Sequence, residues 1–437
     1  MNSATPGITR RTAVWTAVGL VLLAFNLRAA ISGVAPLLDE LQHRLNLPST
    51  AMGALTTLPV LCLGVFAAVA PVLARRLGTE TTLVGALALI AGGIAMRTLP
   101  GPDGLAALLL FAGTVLAGAG IALSNVLMPY VIKNVFPARV GLFTGLTMML
   151  MSTGAALASG LAVPLEERGG WRFSLAVWAF PALLGVLVWI PLALRARSAP
   201  RSGASSEHGA GRAERTGGSP LRSRLAWSVT LFLGMQSLVF YVLMSWLPAI
   251  MRDHGYSAAT AGLMLSTVML LGIPAGLVMP VLAARRADQR PLVAVVMALL
   301  IGGVLGLLTT PQAGWVWTIV LGVATGCAFP LAFTLITLRS ATPLWAARLS
   351  GMAQTAGYLL AAAGPFLIGA LHEASGSWSA PLLVLLIWLV PETFFAWHAA
   401  RPGAVGSAER MSAEEVGAPA ARRAADPRRA AAAPPAR

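Results

Sequence analysis

"APVLARRLG" (70–78) and "MPVLAARRAD" (279–288) are two versions of one phrase. Each closes a long apolar run, and Pro71 and Pro280 stand 209 positions apart. A second pair, "ARVGLFTG" (138–145) and "AARLSGMAQ" (346–354), repeats at the same interval, with Arg139 and Arg348 again 209 apart. Two anchors at one offset mean that the chain is two copies of one unit. The composition identifies the unit's solvent. Of 437 residues, 57% are hydrophobic and 11% are charged, against about 25% charged in a soluble domain.

A membrane-spanning helix needs about 20 mostly apolar residues. Twelve segments qualify, near 13–36, 50–74, 80–98, 105–133, 140–164, 172–194, 225–250, 258–284, 291–309, 314–338, 347–371 and 378–399. The expected organisation is therefore a cytoplasmic N-terminus (1–12), a six-helix half (13–194), a linker (195–224), a second six-helix half (225–399) and a tail (400–437). Linker and tail are rich in Ser, Gly, Ala and Arg without apolar period, and this predicts disorder. Arg10 and Arg11 precede an apolar run too long for a signal peptide, so the first run is read as an uncleaved span.

The basic residues set the expected orientation. If both termini are cytoplasmic, 25 of the 31 Lys and Arg fall on that side, as the positive-inside rule requires. The net charge of +15 does not imply nucleic acid, because no continuous basic face with interleaved aromatics accompanies it. The histidines lack metal-ligand spacing and both cysteines lie in apolar runs. No phosphate-cradling loop or nucleophile triad occurs. The chain is expected to be neither an enzyme nor a cofactor protein, and to be a monomer whose partners are the bilayer and a small-molecule solute.

Five stretches are more specific: "NLRAAISGVAPLLDEL" (26–41), "SNVLMPYVIKNVFPARVGLFTGL" (124–146), "GMQSLVFYVLMSWLPAIMRDHGYS" (234–257), "AFPLAFTLITLRS" (328–340) and "LSGMAQTAGYLLAAAGPFLIGALHEASGSW" (349–378). Together with the duplicated halves, they resemble the cyanate and 2-nitroimidazole permease (CynX/NimT-type) subgroup of the major facilitator superfamily. The resemblance implies an all-α membrane fold of twelve helices with a midplane site between the halves. It also makes the loops after the second and eighth spans look like reduced forms of the superfamily's signature loop, which latches the inward gate. Arg75, Arg76, Arg285 and Arg286 would then serve gating or topology, with Arg139 and Arg348 as their counterparts after the fourth and tenth spans.

One residue poses a physical problem. Arg28 lies inside the first apolar run, where a guanidinium costs about 2.5–3.5 kcal/mol on insertion scales. Its side chain leans toward the helix N-terminus and hence toward the midplane. Nearly all 16 acidic residues fall in loops, linker or tail, and only Glu392 in the twelfth span is expected within the membrane. Arg28 therefore has no evident counter-ion in the chain, and the expectation is that the solute supplies it, as an anion or a nitro group matched to the guanidinium fork. The structural alternative is that Arg28 caps carbonyls at a break of the first helix near Gly33 and Pro36. Asn26, Asn125, Gln236, Tyr241, Gln354 and Tyr358 are the polar residues at suitable depth to complete a pocket, although buried amides in membrane helices commonly tie helices together.

The expected activity is uptake of such a solute across the inner membrane by alternating access. Two other readings stand beside it: a multidrug efflux pump of the same fold, which needs a cavity acid, and a non-transporting sensor or scaffold acting through linker and tail.

Overall fold

A computed structural model describes residues 10–198 and 219–406. Most of the linker and residues 407–437 of the tail lie outside the described residues. The first half comprises α1 (Arg10–Ser32), the short α2 (Leu38–Arg44), α3 (Ser49–Ala67), α4 (Ala70–Leu77), α5 (Thr79–Arg97), α6 (Asp103–Val135), α7 (Val140–Ala176) and α8 (Ala179–Ser198). The second half comprises α9 (Arg224–Asp253), α10 (Ala258–Ala284), α11 (Arg290–Thr309), α12 (Gly314–Leu338), α13 (Pro343–Ser375) and α14 (Ser379–Ala399).

Ten helices are long and apolar enough to cross a membrane, and the pair at Ala67 and Ala70, bent by 52°, makes an eleventh span. One of the ten is the 60-residue stretch Pro137–Ala196. At 1.5 Å per residue it would reach about 90 Å, three times the hydrocarbon thickness. Gly170 resolves this, because its φ of 75° breaks the helix in a region of backbone space open mainly to glycine. The chain turns back there and makes two passes, for twelve in all among the described residues. Beginning and end consequently share one face, which also carries Arg75, Arg76, Arg139, Arg285, Arg286, Arg339 and Arg348.

Several boundaries differ from the sequence reading for local reasons. The first span stops at Ser32 rather than 36, and a 3-10 turn follows at Ala35–Leu37, as Gly33 and Pro36 favour. The second span is not one run: Val69 and Pro71 mark the bend into α4. The eleventh begins at Pro343, where the Thr342 hydroxyl accepts from the Trp345 amide at 3.3 Å, and ends against left-handed Gly376.

The linker and tail are shorter than composition suggests. α8 runs on through residues assigned to the linker, to Ser198. Residues 400–406, assigned to the tail, pack against the arginine-rich face. There Arg339, only 4% exposed, donates to the Ala399 oxygen (2.9 Å), the Ala400 oxygen (2.7 Å) and Gln289 Oε1. The Val405 amide bonds the Arg339 oxygen at 2.7 Å. A burial this deep is tolerable because three acceptors share the guanidinium.

Glycines set the helix contacts. A Cβ at Gly322 would sit 3.0 Å from the Val268 Cα, and one at Gly326 would sit 2.9 Å from the Gly272 Cα, joining α10 and α12 as the small-residue spacing predicts. Gly302 faces open space, while Gly306 lies beneath the Trp317 ring.

Candidate functional site

The two halves meet along two seams at the arginine-rich face. On one, α7 packs on α10, where a Cβ at Gly141 would come 2.7 Å from the Pro280 oxygen and one at Gly145 would come 2.5 Å from the Leu277 oxygen. On the other, Gly351 of α13 lies against Pro71, 3.0 Å from a built Cβ. Lys133 Nζ crosses between halves to the Thr337 oxygen at 2.8 Å. This face is shut.

Above the seams lies a cavity of about 630 Å³, lined from both halves and continuing toward the opposite face through Gly160, Met244 and Ser266. A volume of that order suits a small-molecule ligand. Arg28 is in its wall, half-buried. The guanidinium carbon stands 5.7 Å from the Phe329 ring centroid, within cation–π range. Tyr241 and Tyr358 line the same space. Methionines 148, 151, 244 and 269 supply much of the remaining surface. Among the described residues the ion pairs are Arg44–Glu40 and Arg290–Asp288, so no carboxylate pairs with Arg28.

A second arginine reaches the carbonyl end of α1. Arg97 is 2% exposed and donates to the Ala30 oxygen at 2.9 Å. It is Arg97 that serves the carbonyl end of α1, in space left by Gly113, where a Cβ would meet the Arg97 Cγ at 2.7 Å. Arg28 is left facing the cavity.

Of the other nominated residues, Tyr241 and Tyr358 share the cavity with Arg28, and four do not line it. Asn26 is fully buried and its amide nitrogen bonds the Leu22 oxygen at 2.7 Å. It stands two residues from Arg28, on the other side of α1. Asn125 is buried on α6, which contributes nothing to the lining. Gln236 donates to the Ser237 hydroxyl at 2.9 Å, and Gln354 donates to the Ser350 hydroxyl at 2.8 Å. Ser237 lines the cavity although sequence reading had passed over it, since a serine in an apolar run carries no distinctive signal.

Arg75, Arg76, Arg139, Arg285 and Arg286 are exposed on the shut face. Arg348 stacks 5.4 Å over the Trp345 ring. Asp288, which follows the second arginine pair, instead serves Arg290 at 2.6 Å. The hydrogen bond from the Arg290 side chain holds its carboxyl below the usual range. Glu392 is fully buried on α14 and is not in the cavity wall.

The chain matches the model described as Major Facilitator Superfamily over residues 20–365. It is 41% identical over 384 residues to the 2-nitroimidazole transporter of Escherichia coli (strain K12), covering 88% of this chain and 94% of that one. It is 30% identical over 364 residues to the cyanate transport protein CynX of the same organism, covering 82% and 90%. Among solved structures, a crystal structure of a double-tryptophan XylE mutant superimposes with a TM-score of 0.75 at 15% identity, covering 92% of this chain and 99% of that one.

Proposed function

Because this chain belongs to the Major Facilitator Superfamily, and so is a multi-pass membrane transporter and not an enzyme, we propose that it moves a small anionic or nitro-bearing solute by alternating access, with Arg28 as the group that holds it. The observation carrying this reading is an arginine in the wall of the inter-half cavity that no carboxylate pairs with among the described residues. A guanidinium beside an aromatic ring and two phenols offers a planar acceptor group paired donors and a flat surface. The relatives named for 2-nitroimidazole and cyanate fit that chemistry, the first with a nitro group and the second an anion.

The arginine-rich face with both termini is taken as cytoplasmic, in the inner membrane. The cavity then opens outward in this conformer, and the direction we read is uptake. The working unit is a monomer of two six-helix halves, with no nucleic-acid partner. The efflux reading lacks its acid, since Glu392 is outside the cavity.

The test is uptake of labelled 2-nitroimidazole and cyanate into proteoliposomes. A hydrogen bond to a charged group is worth about 1.5–3 kcal/mol, so Arg28→Ala should weaken apparent affinity by about tenfold to 150-fold. Arg28→Lys should recover only part of it. Unchanged uptake by correctly inserted Arg28→Ala protein refutes the assignment.

A further inference from the structure

Gln354 and Gln236 are 0% and 2% exposed. Each spends its amide nitrogen on a neighbouring serine, and the oxygen of each, Gln354 Oε1 and Gln236 Oε1, is buried without a donor among the described residues. Buried acceptors are normally paired. Two orphaned side-chain acceptors beside one cavity therefore call for a reason.

Their position supplies one. Gln354 stands four residues before Tyr358 on α13, and Gln236 stands four before Phe240 on α9, and both Tyr358 and Phe240 line the cavity. Residues four apart share a helix face, and both helices start at the arginine-rich end. Each glutamine thus lies one turn, about 5.4 Å, below a lining ring toward the shut face. Gln354 also follows Gly351 by three residues, and Gly351 is the point where α13 rests on Pro71 of the other half. Parting of that seam uncovers the face that carries Gln354. Gln236 is tied to Ser237, already in the wall.

We propose that Gln354, with Gln236, forms an inner tier of the solute path, whose free carbonyl oxygens accept a hydrogen bond from an N–H or O–H of the solute as the shut face opens. This rests on the proposed function and narrows it. The preferred solute is planar and carries both an acceptor group for Arg28 and a hydrogen-bond donor for a glutamine oxygen. A cation has nothing to offer Arg28, and an aprotic nitro compound leaves the glutamine oxygens unpaired. The orphaned acceptors are then a selectivity device, because a site built to bond a donor rejects the analogue that lacks it.

The experiment compares 2-nitroimidazole with its ring-N-methyl derivative, which keeps the nitro group and loses the N–H. Proteoliposome uptake is measured for the wild type, Gln354→Met, Gln236→Met and Arg28→Ala. The wild type is expected to favour the N–H probe by about threefold to tenfold in kcat/KM, the scale of one net hydrogen bond. Gln354→Met should bring that ratio close to one with little change in melting temperature, since removal of an unpaired buried oxygen offsets the lost bond to Ser350. Gln236→Met should move the ratio the same way. Equal handling of both probes by the wild type overturns the inference whatever the variants do, as does a ratio kept intact in both glutamine variants. Undiminished uptake by Arg28→Ala sinks the arginine assignment instead, and no uptake of either probe sinks both.

Discussion

Substituting Gly145 by alanine should tip the balance between the conformer open at the far face and the one open at the arginine-rich face. The added methyl would lie 2.5 Å from the Leu277 oxygen across the α7–α10 seam. An ordinary contact begins near 3.4 Å, so the clash is about 0.9 Å against main-chain atoms that cannot rotate away. Overpacking of this kind costs about 1–3 kcal/mol. The cost falls only on the conformer in which the seam is shut, so the ratio of the two states should drop by about fivefold to 150-fold. Spin labels on Ala156→Cys and Ser266→Cys, on opposite halves at the open end of the cavity, would report the ratio as two populations of distance. Cys62 and Cys327 are replaced by serine in that background. The longer-distance population should fall in Gly145→Ala and hold in Gly302→Ala, a control outside the seams and the cavity wall whose Cβ meets nothing within 4 Å. An unchanged distribution in well-folded Gly145→Ala protein would refute the claim that this seam is the gate.

Two further expectations concern arginines that brace the fold. Arg339→Leu leaves the Ala399 and Ala400 oxygens without their donor. At about 1–3 kcal/mol per unpaired buried group, it should lower the melting temperature by several degrees and speed proteolysis near residues 400–406, with solute affinity in the surviving protein unaltered. Arg97→Met removes the bond to the Ala30 oxygen. It should also lower thermal stability while the KM for the transported probe stays within twofold, and a large rise in KM would mean that Arg97, not Arg28, contacts the solute.

The chain's sequence alone determined the number of spans, the duplication and the sidedness of charge. These follow from hydropathy over about twenty residues and from Lys and Arg in short loops, both local properties that need no knowledge of what touches what. It also exposed Arg28 as a charge without a partner, because an acid to pair with it would be visible in any apolar run.

What each polar side chain faces was beyond its reach. Asn26 and Arg28 lie two residues apart at almost equal depth, yet one turns into the first half and the other into the cavity. Arg97 and Arg339 stand at the ends of apolar runs in the sequence, yet both are buried braces, whereas Arg75, Arg76, Arg285 and Arg286 are exposed. The arginine-rich face is held shut by close contacts at Gly141, Gly145 and Gly351. Depth is a one-dimensional quantity carried by the chain, whereas azimuth and contact depend on how twelve helices are rotated against each other. That rotation is set by close packing among distant residues, and only the tertiary structure holds it.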